Sequence, residues 1–97
     1  MKEVNKQIMG KAIQYSEKAA KQLRKIFKSD KDSARMIIKA IEDYAEHSDK
    51  KHDIKILKGK FEDLKRLRVG KYRVIFDENF VIINIYEIKH RQGAYND

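Results

Sequence analysis

From Ser16 onward, apolar residues recur at steps of three and four: Ala19, Ala20, Leu23, Ile26 and Phe27, with lysines and arginines filling the other positions. That spacing lays them along one face of an α-helix. Ser16 precedes the stripe and has a hydroxyl suited to accept from a first-turn backbone N–H, so it is the expected N-cap. Ser29-Asp30-Lys31-Asp32 then interrupts the apolar pattern with good capping residues, and Met36, Ile37, Ala40, Ile41 and Tyr44 draw a second stripe. Two amphipathic helices joined by so short a break form a hairpin. Neither can bury its stripe alone, so both need a partner surface.

The second half supplies it. Ile54-Lys55-Ile56-Leu57 reads as a short edge segment leading into the polar loop 58–63. Leu64–Val69, Tyr72–Phe76 and Val81–Ile88 are rich in β-branched and aromatic residues and read as three strands, separated by Gly70-Lys71 and Asp77-Glu78-Asn79. Connections this short make the strands antiparallel neighbours. Side chains alternate across a strand, so Leu67 and Val69 share one face while Arg66 and Arg68 share the other; Tyr72, Val74 and Phe76 likewise oppose Arg73 and Ile75. Lys65 falls on the apolar side, which points to an edge position where its stem can snorkel. The expected fold is α+β, in two layers: an N-terminal α-helical hairpin packed on a twisted antiparallel sheet, with an open face presenting Arg66, Arg68 and Arg73. Leu23, Phe27, Ile37, Ile41, Leu67, Val74 and Phe76 are the expected core. Residues 1–10 are weakly patterned and read either as a short strand or as a terminal extension.

Length and composition narrow the class. At 97 residues, with no proline and four scattered glycines, the chain reads as one domain without a linker. Hydrophobic residues make up 41%, too many for a disordered tail, and charged residues 39%, which must sit on the exterior. The absence of cysteine removes disulfides, thiol nucleophiles and cysteine zinc sites, and fits a cytoplasmic setting. No stretch approaches a membrane span or a signal peptide, so no membrane partner is expected. The net charge of +8 is unevenly spread: residues 51–73 carry nine Lys/Arg against three Asp/Glu, while residues 74–97 carry two against four. A basic window of that kind is the footprint of a nucleic-acid ligand or an acidic protein partner, although a plain lysine-rich surface has the same composition.

The site vocabulary is spare. There is no phosphate-cradling glycine loop and no HExxH motif, so metal, cofactor and nucleotide-hydrolase chemistry are disfavoured. Of the three histidines, His47 and His52 read as solvated residues after the second helix, and His90 sits beside Arg91 after the last strand. What remains is Arg66, Arg68, Arg73, Arg91, Lys60, Lys65 and Tyr95. Such a set suits phosphodiester chemistry, since guanidinium forks bind phosphate bidentately and offset the charge of a pentavalent transition state. RNA carries its own nucleophile, the 2′-hydroxyl, so a protein that positions the backbone and stabilises charge can cleave it. Tyr95 or His90 are the candidates for proton transfer. A non-catalytic nucleic-acid-binding domain would carry the same residues.

Several runs resemble the RelE/ParE superfamily of toxins from bacterial type II toxin–antitoxin systems. They are the run 15–23 (YSEKAAKQL) opening the first helix, Ile56-Leu57-Lys58-Gly59, the run 67–75 (LRVGKYRVI), and His90-Arg91 with Tyr95. The match spans about residues 11–95. The resemblance implies a helical hairpin against a twisted sheet whose concave face does the work. In the RelE branch it implies a ribosome-dependent RNase that cuts mRNA in the ribosomal A site, held in check by an acidic antitoxin in a hetero-oligomer. On that basis Arg73 matches the arginine of the "YR" motif, Arg91 the late-strand arginine and Tyr95 the C-terminal tyrosine. Arg66 replaces one active-site lysine, and Leu64 stands where another would be. Tyr95 is also closer to its arginine than in the archetype. The expected catalytic set is Arg66, Arg73, Arg91 and Tyr95, with Lys60, Lys65, Arg68 and His90 binding RNA. The alternative within the superfamily is a ParE-like inhibitor of DNA gyrase.

Overall fold

A computed structural model describes residues 10–57 and 64–91. Strand β1 (Ala12–Tyr15) leads into helices α1 (Glu17–Ser29) and α2 (Lys31–Glu46); strands β2 (Ile54–Ile56), β3 (Lys65–Val69), β4 (Tyr72–Glu78) and β5 (Ile82–His90) follow. The strands form one sheet in the order β1-β5-β4-β3-β2. The two helices lie in a second layer against it, as expected from their stripes.

Both helices start where their caps dictate. The Ser16 hydroxyl oxygen accepts from the Ala19 N–H at 2.9 Å, and its own proton goes to the Tyr86 carbonyl at 2.9 Å, pinning the helix start to β5. Asp30 both ends α1 and caps α2: its carboxylate accepts from the Ser33 N–H (3.1 Å) and the Ser33 hydroxyl (2.6 Å). These two bonds hold the Asp30 carboxyl below its ordinary range.

The core lies between the layers. Ala19 and Ile26 of α1 and Ala34, Ile37, Ile41, Tyr44 and Ala45 of α2 meet Leu67, Val69, Tyr72, Val74, Phe76, Ile83, Ile85 and Ile88 of the sheet. Five of the seven expected core residues are buried. Leu23 and Phe27 are only partly so, and Met36 is exposed, since it lies around α2 from the buried stripe of Ala34, Ile37, Ile41, Tyr44 and Ala45. The expected alternation holds: Leu67, Val69, Val74 and Phe76 face the helices, and their neighbours face away. Gly70 takes φ +57° in the two-residue β3–β4 turn, a left-handed conformation that glycine adopts without strain.

Three expectations are corrected. The sheet is antiparallel except at β1, which pairs parallel to β5 from Ala12↔Ile82 to Tyr15↔Ile85, so residues 12–15, just after the undecided N-terminal segment, form an edge strand. Lys65 is not on an edge strand, since β2 pairs outside β3 with Ile56 opposite Lys65. Its ammonium is accommodated instead by Glu78, 2.7 Å away. The β4–β5 connection is residues 79–81 rather than 77–79, because β4 runs on to Glu78 and β5 starts at Ile82. Among the described residues no helix is long and apolar enough to cross a membrane.

Candidate nucleic-acid interface

The sheet face turned away from the helices is built by register. Arg68 of β3 stands directly opposite Arg73 of β4, and Arg73 directly opposite Lys89 of β5, so three cations form one row across three strands. In the adjacent row Lys55 of β2 faces Arg66, which faces Ile75, which faces Glu87. Directly opposed side chains on a sheet lie roughly 5 Å apart at Cβ, and like charges at that spacing repel. Arg91 follows β5 immediately; it is exposed, and its N–H bonds the Lys71 carbonyl, bringing it to the same end of the sheet as the Arg68–Arg73 pair.

Among the described residues, the carboxylates of Asp53 and Glu87 reach these cations. Asp53, in the residue before β2, sits 3.6 Å from the Arg66 Nη1 and 3.9 Å from the Arg68 Nε. Its carbonyl accepts from the Arg68 N–H at 3.1 Å, which fixes the Asp53 backbone beside β3. Glu87 pairs with Lys18 of α1 at 3.1 Å and approaches Lys89 at 3.9 Å. Arg66 is 8% exposed and therefore almost wholly buried, and its Nη1 makes no hydrogen bond.

The structure unites Arg66, Arg68 and Arg73 on one face. It removes two of the expected RNA-binding residues from that face. Lys65 projects to the helix side, where Lys65, Lys11 and Tyr44 all donate to the Glu78 carboxylate. His90 also points to the helix side, because it is opposite buried Tyr72 and stacks edge-on against its ring at 5.1 Å. The parity of β5 decides this: the residue after Lys89 must reverse face. Lys60 and Tyr95 lie outside the described residues. His52, expected to be solvated, is half-buried; its Nε2 lies 2.7 Å from the His47 carbonyl and its ring packs edge-on against Tyr44.

Other residues on the open face escaped the sequence reading. Lys89 was legible in principle from strand parity, but only with the β4–β5 register in hand. A register shift opposite Ile75/Phe76 makes Tyr86 a bulge residue. Its phenol donates to Asp77 at 2.8 Å, and the Asn84 amide donates to the same carboxylate at 3.0 Å. The hydrogen bond to Asp77, with burial and the carboxylate's charge behind it, pushes the Tyr86 phenol above its ordinary value. Tyr86 thus holds its proton at neutral pH. Among the described residues no cluster of histidine, aspartate and glutamate has the arrangement to hold a metal ion.

Chemically, this face has the groups that could bind an anion: a cationic row, a buried guanidinium with an unused donor, and hydroxyl and amide groups at its margin. Comparison with known proteins agrees with the fold. The YoeB dimer from Staphylococcus aureus superimposes with a TM-score of 0.69 at 16% identity, covering 82% of this chain and 95% of that one. The toxin–antitoxin complex RelBE2 from Mycobacterium tuberculosis gives 0.69 at 16% identity, over 84% and 99% of the two chains. The archaeal RelE–RelB complex from Pyrococcus horikoshii gives 0.65 at 28% identity, over 89% and 100%. No curated protein matches the chain. Residues 13–95 match the family described as the ParE toxin of the type II toxin–antitoxin system parDE, and the chain belongs to that family.

Proposed function

We propose that this member of the ParE toxin family is the toxin of a type II toxin–antitoxin pair and acts as an endoribonuclease on ribosome-bound mRNA. The observation that supports this reading best is the Arg68–Arg73–Lys89 row with Arg66 beside it, a density of cations that favours a polyanion over solvent. The RNA 2′-oxygen attacks the adjacent phosphorus and the 5′-oxygen of the next nucleotide leaves, giving a 2′,3′-cyclic phosphate and a 5′-hydroxyl. The guanidiniums of Arg66, Arg73 and Arg91 hold the backbone and offset charge that grows on the non-bridging oxygens. Tyr95 exchanges the proton at one end of the reaction and water exchanges it at the other, so the proton lost by the 2′-hydroxyl is balanced by the one gained by the 5′-oxygen, and Lys60 and Arg68 bind flanking phosphates. Lys65 and His90, turned toward the helices, make no contact with RNA in this scheme.

Adding the purified protein to translating ribosomes and mapping mRNA ends tests the proposal. Cleavage by the wild type and none by a folded Arg73→Ala variant is the expected pair of results; a folded Arg73→Ala protein that still cuts removes the arginine row from the chemistry. The name of the matching family favours a second reading, ParE-like inhibition of DNA gyrase. Loss of gyrase supercoiling together with intact mRNA selects that reading instead. The RelE–RelB and RelBE2 structures are toxin–antitoxin complexes. By the same reading, this chain's partner is an acidic protein that folds over the cationic face.

A further inference from the structure

Asp53 occupies a particular place among the cations. It extends the β2–β3 register by one residue, opposite Arg68 and diagonal to Arg66, and its carboxylate reaches toward both guanidiniums. At 3.6 and 3.9 Å these are ion-pair distances, too long for hydrogen bonds. The Asp53 side chain is 55% exposed, whereas that of Arg66 is 10% exposed, so the aspartate is free to swing out and the arginine is not. The buried Arg66 Nη1 is left without a hydrogen bond. A buried donor in that state is costly, and the cost points to a ligand that completes it. Lys55, directly across from Arg66, adds a third cation to the same spot.

We infer that Arg66 and Arg68, with Lys55, form a phosphate subsite whose resident anion in the free protein is Asp53, so that Asp53 competes with the RNA backbone for these guanidiniums. A phosphate fits better than the carboxylate that holds its place. It presents three oxygens at a tetrahedral centre, approaches from solvent, and can take short charge-assisted bonds from both forks at once. The aspartate, tethered by the Asp53 carbonyl to the Arg68 N–H, reaches only to ion-pair distance. Asp53 therefore lowers affinity for any polyanion and relieves the Arg66–Arg68 repulsion when no ligand is bound. The inference deepens the proposed RNA-binding role of this face and rests on it for the identity of the phosphate.

The test is a fluorescence-anisotropy titration with a short labelled 2′-O-methyl oligoribonucleotide, which cannot be cut. Asp53→Asn should bind roughly three- to tenfold more tightly than wild type, the change expected from releasing two partly exposed ion pairs. Asp32→Asn, which removes the same charge from the exposed first turn of α2, should stay within about twofold of wild type. In an Arg66→Gln/Arg68→Gln background the gain from Asp53→Asn should vanish. Equal effects of Asp53→Asn and Asp32→Asn, or a gain that survives without the two arginines, would overturn the inference. If no variant binds the oligonucleotide, the RNA reading fails and the subsite is judged by titrating inorganic phosphate against the arginine Nε–H resonances. Shifts at Arg66 and Arg68 with a lower dissociation constant in Asp53→Asn uphold it. Unmoved resonances, or equal constants, refute it.

Discussion

Replacing Glu78 with glutamine should be among the most damaging conservative changes in this protein. Glu78 is the last residue of β4, its side chain only 6% exposed, and its carboxylate accepts from Lys11, from Lys65 and from the Tyr44 phenol. Those three donors come from the residue before β1, the first residue of β3 and the last turn of α2, so one carboxylate ties both layers and two non-adjacent strands together. Removing one partner of a fully buried ion pair typically costs about 3–5 kcal/mol. Here the lysine side chains are 18% and 28% exposed and can turn partly to water, and the amide oxygen can keep the Tyr44 bond. We therefore expect about 2–3 kcal/mol for Glu78→Gln at pH 7. With a urea m-value of about 1–2 kcal/mol/M for a domain of this size, the midpoint should fall by about 1–3 M. Burial by itself raises the Glu78 pKa, but the bonds from Lys11, Lys65 and Tyr44 outweigh it and hold the group below its ordinary value of 4.5. A carboxyl depressed in the folded state contributes stability that is complete above the unfolded value and is lost as pH falls through the folded one. The gap between wild type and Glu78→Gln should accordingly be constant above about pH 5.5 and narrow below 4.5. Urea unfolding followed by far-ultraviolet circular dichroism at a series of pH values measures both. A Glu78→Gln midpoint within about 0.3 M of wild type at pH 7 would refute the reasoning.

Ile41→Ala, at a side chain 2% exposed in the centre of the core, should cost about 2–5 kcal/mol in the same assay with an unchanged m-value. Ser16→Ala loses both the α1 cap and the tie to Tyr86 and should cost about 1–2 kcal/mol, read as a fall in thermal midpoint. Arg73→Ala should abolish growth arrest on induction while the purified variant keeps a cooperative urea transition and the wild-type far-ultraviolet spectrum. Association with the product of a neighbouring antitoxin gene, followed by stopped-flow, should slow steeply as salt rises; a rate indifferent to ionic strength would exclude charge steering.

The helices and their ends were legible because they are local. Ser16 and Asp30 act within one turn of themselves, and a stripe at a period of 3.6 records which face is buried whatever covers it. Strand parity was equally local, so the segregation of Arg66, Arg68 and Arg73 from Leu67, Val74 and Phe76 followed from the sequence alone. Parity also contains the answer for His90, but only once the end of β5 is known; with the strand expected to stop at Ile88, its face stayed undefined. Tertiary structure decided the rest. The parallel seam of β1 with β5 joins segments about seventy residues apart, and nothing in four residues of mixed polarity specifies such a partner. Lys65 looked like an edge residue because its apolar-side position had no visible counter-charge. Glu78 reaches it only when β3 and β4 are paired and α2 closes over them. The bulge that turns Tyr86 toward Asp77, and the placement of Asp53 between two arginines, depend on how neighbouring strands align rather than on any residue's own preference. Periodicity determined which side of each element is buried; only the packing of distant segments determined which charges meet.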